Sequence, residues 1–251
     1  MVACSFVSSG PCPRERHDRS DKPLWVRRLP ALTWDKGKEM DQKYRARLRS
    51  LITVDGTVAS YIHALWRAGE LGNTYIFYFT DNGWHMGNHA LPSGKNTPYT
   101  EDVEFPLIVR GPRIAQNTKS YRLVSNTDLA PTFAELAKAS PTSPVDGRSI
   151  LPLMRGQDVP WRSALLVEGK NPYPWPRGWP AYKAVRTRSY AYHFYPETGE
   201  EELYDLDADP YQLHSVHDDP AYAEVKATLK SKLAALKTCS GAKCKAAEDG
   251  G

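Results

Sequence analysis

From Glu39 to Ala68 the apolar residues Leu48, Leu51, Ile52, Val58, Ile62 and Leu65 recur at spacings of three and four, with Arg45, Arg47 and Arg49 between them. That period lines one side of a helix, so a long amphipathic helix is predicted, ending at Gly69. Leu71-Gly72-Asn73 turns the chain into Thr74-Tyr75-Ile76-Phe77-Tyr78-Phe79-Thr80, whose unbroken aromatic and β-branched run suits a strand buried on both faces. A second apolar run, Pro106 to Arg110, stops at Gly111-Pro112, and Ser125-Asn126-Thr127-Asp128 precedes a helical stretch from Leu129 to Ala139. A helix feeding a strand, and the alternation continuing beyond it, predicts an α/β sheet.

Outside this region the pattern changes. Residues 1 to 22 have no periodicity and read as an irregular leader that packs poorly. Residues 140 to 181 carry many prolines, with Trp161, Trp175 and Trp179 among Gly and Arg, and read as long surface loops. Tyr182 to Tyr195 alternates in part, and Pro196-Glu197-Thr198-Gly199 turns it into Glu202-Leu203-Tyr204-Asp205-Leu206, which predicts an antiparallel hairpin. Asp218-Asp219-Pro220 then opens a helix through Leu236, acidic at its start and rich in lysine toward its end, as the macrodipole prefers. The chain is thus expected to divide into a leader (1–22), an α/β domain (23–160) and a small C-terminal subdomain of antiparallel sheet plus helix (161–251).

Composition narrows the classes of function. At 251 residues and 41% hydrophobic content the chain can bury a substantial core. Its formal charge of +4 arises from 33 basic residues interleaved with 29 acidic ones, so nucleic acid is not implied. No apolar run reaches the ~18 residues of a membrane span, and Arg14, Glu15, Arg16, His17 and Asp18 interrupt any signal-peptide core. The four cysteines fall in two pairs, Cys4 with Cys12 and Cys239 with Cys244. The short stretch Cys-Ser-Gly-Ala-Lys-Cys predicts a local Cys239–Cys244 disulfide and with it an oxidising compartment, two unpaired tail thiols being the alternative. With no further Cys or His close by it makes a poor zinc site.

The candidate chemistry lies where the aromatic strand opens into a polar, glycine-punctuated loop, Asp81-Asn82-Gly83-Trp84-His85-Met86-Gly87-Asn88-His89. Asp81 and Asn82 offer hard oxygens suited to Ca²⁺ or Mg²⁺, but calcium takes ~6–8 oxygens and two cannot close a shell. On composition alone an Asx-type turn is the commoner outcome for Asp-Asn-Gly. Lys95, after Gly94, could meet a tetrahedral oxyanion as a point charge or remain a solvated lysine. His85 and His89 could protonate a leaving oxygen, since imidazole titrates near neutral pH, or be loop histidines with no task.

The run from Tyr75 through Pro112, YIFYFTDNGWHMGNHALPSGKNTPYTEDVEFPLIVRGP, resembles the sulfatase family, especially its arylsulfatase and N-acetylglucosamine-6-sulfatase branch. Further matches follow in the family's order: Asn126-Thr127-Asp128-Leu129-Ala130-Pro131-Thr132, Asp146-Gly147-Arg148-Ser149, and Glu202-Leu203-Tyr204-Asp205-Leu206 before Asp209-Pro210. The resemblance implies an alkaline-phosphatase-like α/β fold, of which this chain carries the C-terminal part of the large mixed sheet. It implies that Asp81 and Asn82 match the late pair of calcium ligands and that Lys95 matches the lysine contacting the sulfate. His85 and His89 match substrate-side positions. It also implies hydrolysis of aryl or glycan sulfate esters and an extracytoplasmic location.

The family's nucleophile is a formylglycine made from cysteine in a Cys-x-Pro/Ala-x-Arg signature, and here the pattern departs. Cys12-Pro13-Arg14-Glu15-Arg16 carries Arg14 where Pro or Ala belongs and lies too near Asp81, and the family's early acidic pair is missing. No turnover of an aryl sulfate is therefore expected of this polypeptide alone, and strands 74–80 and 106–110 are expected to lack upstream partners and to favour aggregation. Two rivals remain: a phosphodiesterase or phosphonate hydrolase of the same superfamily, and a non-catalytic module in which Trp161, Trp175 and Trp179 stack on sugars while Lys95 holds a sulfate. For those tryptophans, packing under long loops is the ordinary alternative.

Overall fold

A computed structural model describes residues 18–141, 143–170 and 179–249. After a short helix α1 (Leu24–Arg27), the predicted long helix runs as α2 (Trp34–Arg67), 34 residues starting at a Thr33 cap whose Oγ1 accepts from Lys36 N. It stops where Gly69 takes φ +75, a conformation only glycine adopts freely. Glu39 pairs with Lys36 and Lys43, and Asp41 with Arg45, on its exposed surface. Only Gly37 and Met40 of α2 are buried, so the apolar side read from the sequence exists but faces solvent, with Ile52 at 72% exposure.

Strand β1 (Ile76–Phe79) pairs antiparallel with β2 (Leu107–Arg110), Phe79 opposite Leu107 and Ile76 opposite Arg110, with the four-residue helix α3 (Thr100–Val103) between them. The expectation of a strand buried on both faces fails. Ile76, Phe77 and Tyr78 are half-buried, while Phe79 and Ile108 are exposed. Pairing with β2, the strand hydrogen-bonded to β1 among the described residues, satisfies an edge of β1 but covers neither face. The contact that does cover it is Phe77 edge-on to Phe133 of α4 (Leu129–Leu136), with ring centres 4.9 Å apart.

Helix α4 is introduced by a capping box in which Ser125 N donates to Asp128 Oδ2 at 2.8 Å. The buried Asp128 carboxylate also takes Arg162 NH1 and NH2 at 2.7 and 2.6 Å and the Arg148 amide at 2.8 Å. Gly147 is required there because a Cβ would lie 2.1 Å from Thr127 O. These contacts give the Asn-Thr-Asp and Asp-Gly-Arg-Ser motifs a shared physical purpose, locking the α4 start to the segment before α5 (Leu151–Met154).

The C-terminal part is a four-stranded antiparallel meander: β3 (Ala164–Gly169), β4 (Tyr182–Thr187), β5 (Tyr190–Phe194) and β6 (Glu201–Asp205). Two sequence expectations are corrected by it. The segment 140 to 181 holds α5 and β3 as well as loops, and the alternating run from Tyr182 is two strands joined at Arg188-Ser189, so the hairpin is part of a larger sheet. Residues 171–178, Trp175 among them, lie outside the described residues, as do Cys4 and Cys12. One face of the sheet (Ala164, Val185, Tyr192, Leu203) packs on Leu229, Leu233 and Leu236 of α6 (Ala223–Leu236). Asp219 caps the turn leading into α6, its side chain accepting from Ala221 N. A Cys239–Cys244 disulfide links the end of α6 to α7 (Ala242–Asp249), whose Glu248 and Asp249 pair with Arg148.

The opposite face carries Tyr182, Ala184, Ala191 and Tyr204 against Trp25, Val26, Leu91 and Tyr99. Within it sits a buried charge: Glu202 accepts from Tyr99 OH at 2.8 Å and Tyr195 OH at 2.6 Å, from Tyr204 OH, and meets His193 Nδ1 at 3.2 Å. Lys22, buried beside it, donates to Tyr204 OH and Gln212 O, both at 2.6 Å. The poorly packing leader is therefore corrected at its end: residues 18–22 are described and Lys22 is part of the core, while 1–17 lie outside the described residues.

Candidate functional site

β1 delivers the chain directly into the polar loop. Gly83 N donates to Asp102 O at 2.8 Å, and the loop runs so close to α3 that a Cβ at Gly83 would meet Glu101 O at 2.0 Å. His85 and Gly94 then form an antiparallel bridge, N to O at 2.9 and 3.1 Å, which folds the loop back on itself. His89 and Ala90 take left-handed backbone angles, φ 56 and φ 60, after Gly87 at φ 87. A run of that conformation in non-glycine residues is strain that the surrounding packing has to hold.

The fold-back brings three predicted residues together. Lys95 Nζ donates to Asn82 Oδ1 at 2.8 Å and lies 3.6 Å from Asp81 Oδ2. Two hard oxygens thus converge on one positive charge at the end of β1. Asp81 stays largely in water, so its pairing with Lys95 is worth little to stability and leaves the carboxylate free to engage a ligand. Asn82 Nδ2 donates to Gly83 O at 2.6 Å, which turns its carbonyl oxygen toward the ammonium.

The histidines are held differently. His85 is buried beneath Gly94, whose missing Cβ would lie 3.0 Å from Nε2. Its Nδ1 meets both oxygens of Asp102 at 2.9 Å, and a carboxylate only accepts, so Nδ1 carries the hydrogen and Nε2 lies under Gly94. Asp102 is fixed in turn by Thr97 N at 2.8 Å and Thr97 Oγ1 at 2.6 Å. His89 is not brought to this cluster: its ring stacks on Tyr99 at 3.8 Å and its Nε2 lies 3.6 Å from Glu101 Oε2. Burial pushes the Glu101 carboxyl up, but the neighbouring His89 and the Asn88 amide outweigh it and hold it below the usual carboxylate range. Asp102, Thr97 and Glu101 were not singled out in the sequence. The signal available was the acidic pair after Tyr99-Thr100, which reads as an ordinary exposed helix start.

Among the described residues no group of three or more His, Cys, Asp or Glu gathers as a metal site. Asp81 and Asn82 nevertheless suit a hard cation chemically, since both already turn oxygen toward the Lys95 ammonium. They would supply a minority of its shell. No cysteine of the chain lies in a Cys-x-Pro/Ala-x-Arg signature, so the residues present do not fit a formylglycine.

Residues 6–139 match the sulfatase family, and residues 87–239 match the C-terminal region of N-sulphoglucosamine sulphohydrolase. The chain belongs to the sulfatase family, whose members are sulfuric ester hydrolases. It is 36% identical over 238 residues to N-acetylglucosamine-6-sulfatase of Bos taurus, covering 82% of this chain and 42% of that protein. To the arylsulfatase of Volvox carteri it is 33% identical over 264 residues, covering 90% and 39%. The chain thus spans less than half the length of these curated relatives.

Among solved structures, one described in complex with its substrate D-glucosamine-2-N,6-O-disulfate is 28% identical, with TM-score 0.68 over 73% of this chain and 38% of that one. A 2-O GAG sulfatase shares the fold, with TM-score 0.74 and 24% identity over 93% and 54% of the two chains. The phosphonate monoester hydrolase of Agrobacterium radiobacter is 25% identical, with TM-score 0.65 over 73% and 39%. The architecture is the alkaline-phosphatase-like sulfatase fold, here mixed α/β with antiparallel sheets. No helix among the described residues is long and apolar enough to cross a membrane.

Proposed function

We propose that this chain is the sulfate-holding part of a sulfuric ester hydrolase for glycan or aryl sulfates, and that by itself it binds the ester without cleaving it. The observation that carries this reading is the convergence of Asp81, Asn82 and Lys95 at the end of β1. An ammonium there offsets charge on a sulfate oxygen, and fixed polar groups of this kind are worth more out of water than in it. Asp81 and Asn82 would hold Ca²⁺ or Mg²⁺ together with donors from elsewhere, and the cation would neutralise further sulfate charge. His85, oriented by Asp102 and buried beneath Gly94, is closer along the folded loop to Lys95 than His89 is, and is the better candidate of the two histidines to hold or pass a proton at the ester oxygen. His89 is read as a support for the loop.

The missing cysteine signature is the reason no turnover is expected. Its test is incubation of pure protein with a chromogenic aryl sulfate, together with calorimetry using N-acetylglucosamine 6-sulfate in the presence and absence of Ca²⁺. Binding that Ca²⁺ strengthens and Lys95→Ala weakens, without hydrolysis, supports the reading; measurable turnover refutes it. A phosphonate or phosphodiester substrate is the second reading, favoured by the shared fold of the phosphonate monoester hydrolase. A phosphonate monoester that binds more tightly than the sulfate would favour it. The Cys239–Cys244 disulfide supports an extracytoplasmic location.

A further inference from the structure

The loop has a second outward group besides Lys95. Because His85 and Gly94 are bridged, the residues flanking that pair, Trp84 and Lys95, face the side opposite to His85. Exposure agrees: His85 is buried, whereas Trp84 and Lys95 reach solvent. Alternation puts Asn82 on that side too, where its Oδ1 meets Lys95. The Trp84 ring is held in place, its Nε1 donating to Ser93 Oγ at 3.0 Å. From α2 the Arg47 guanidinium lies over the indole, 4.3 Å from the ring centre.

Two features make this more than surface packing. Among the described residues no carboxylate pairs with Arg47, although Lys36, Lys43 and Arg45 on the same helix are each paired. Stacking also occupies only the face of a guanidinium. Its N–H edge, with donors in a fixed fork, stays open to a planar or tetrahedral oxyanion. Lys95 and Arg47 thus both border Trp84, an ammonium on the same side of the bridge and a guanidinium over one indole face, so the uncovered part of the ring can meet a sugar that carries anionic groups. Of the tryptophans considered for sugar stacking from the sequence, Trp161 and Trp179 do not offer this. Trp161 donates to Leu123 O at 2.6 Å between Arg148 and Arg162, and Trp179 packs toward Trp25.

We propose that Trp84 and Arg47 form a second anion subsite beside Asn82 and Lys95, taking the neighbouring sugar of a polyanionic glycan whose sulfate ester sits on Lys95. The proposal rests on the sulfate-site reading above and is separable from it. Calorimetry of the full chain in Ca²⁺ compares N-acetylglucosamine 6-sulfate with a heparin-derived tetrasaccharide. The tetrasaccharide is expected to bind roughly tenfold tighter or more, the size of one charge-assisted contact. Arg47→Ala, an exposed change that leaves the melting temperature alone, is expected to erase that ratio while keeping the monosaccharide affinity, and Trp84→Leu to do the same. Arg49→Ala, on the same helix, is expected to leave the ratio intact. Equal losses from the Arg47 and Arg49 variants would mean diffuse attraction of a polyanion and overturn the proposal, as would an unchanged ratio in Arg47→Ala. If Lys95→Ala weakens both ligands while Arg47→Ala changes neither, only the subsite fails. If Lys95→Ala is silent, or neither ligand binds, the sulfate-site reading fails with it.

Discussion

His85 Nδ1 sits 2.9 Å from both oxygens of Asp102, a residue 17 positions away that also takes two hydrogen bonds from Thr97. One buried carboxylate thus fixes the tautomer of the histidine and the path of the chain after Lys95. Asp102→Ala leaves the His85 ring and the Thr97 amide and hydroxyl without their acceptor. At about 1–3 kcal/mol for each of three buried donors stranded, a loss of at least about 3 kcal/mol is expected. Chemical denaturation measures it, and a loss below 1 kcal/mol would mean that water replaces the carboxylate at no cost.

Gly83 is the position where the loop cannot accept a side chain. The Cβ of Gly83→Ala would lie 2.0 Å from Glu101 O and 2.7 Å from Glu104 O, both backbone atoms that cannot swing aside. Separating the loop from α3 should cost about 1–3 kcal/mol and move Asn82 relative to Lys95. The expected result is a lower melting temperature together with weaker binding of N-acetylglucosamine 6-sulfate. Normal stability and normal binding in the variant would show that the close approach is not needed.

What the sequence made legible, and what it hid, divides along physical lines. The three- and four-residue period from Leu48 to Leu65 fixed α2, because helix geometry is local. The convergence of Asn82 and Lys95 could be expected from the loop that carries both, aided by family resemblance. Burial of β1 on two faces was misread because what covers a strand is tertiary, and Phe79 and Ile108 carry the composition of a core strand without its neighbours. Strand β3 was missed since Ala164-Leu165-Leu166-Val167 is short and lies in a proline- and tryptophan-rich stretch that reads as loop. Asp102 was missed because its task is set by the turn at Tyr99, not by its spacing from His85.

The apolar side of α2 gives an expectation about solution behaviour. Leu48, Leu51, Ile52 and Trp66 are exposed along it, Val54 and Tyr61 are exposed on the other side of the helix, and Phe79 and Ile108 are exposed on the small sheet. Surfaces of that extent promote association, and the β1–β2 pair adds open strand edges. The purified chain is expected to self-associate and to bind a hydrophobic dye. Replacing Leu51 and Ile52 with Glu should reduce both without lowering the melting temperature, since neither side chain is buried. A monomer that binds no dye at high concentration would contradict this.

Acid should act in the core between the site loop and the C-terminal sheet, at Glu202. Burial alone would raise its carboxyl, but the hydrogen bond and charge of His193, the Lys22 ammonium and the Tyr195 hydroxyl prevail and hold it at about 2, against an ordinary 4.5. A depressed carboxylate contributes stability that is complete above about 4.5 and drains away as pH falls toward about 2. His193 adds to this from higher pH. Burial lowers it from 6.5, with Glu202 only partly compensating, so below that pH the unfolded chain binds the proton more readily and stability begins to fall. Glu202→Gln removes the foremost of the negative charges acting on buried Lys22, with Asp21 still 3.9 Å away, and weakens the acceptor of three tyrosine hydroxyls, which is expected to cost about 1–3 kcal/mol at neutral pH. It also removes the titrating group, so the decline below pH 4.5 should be shallower than in the parent. Equilibrium unfolding measured from pH 7 to pH 3 tests both. Parallel acid limbs in parent and variant would mean that other carboxylates set the acid stability and that the tyrosine-bound Glu202 titrates as it would in the unfolded chain.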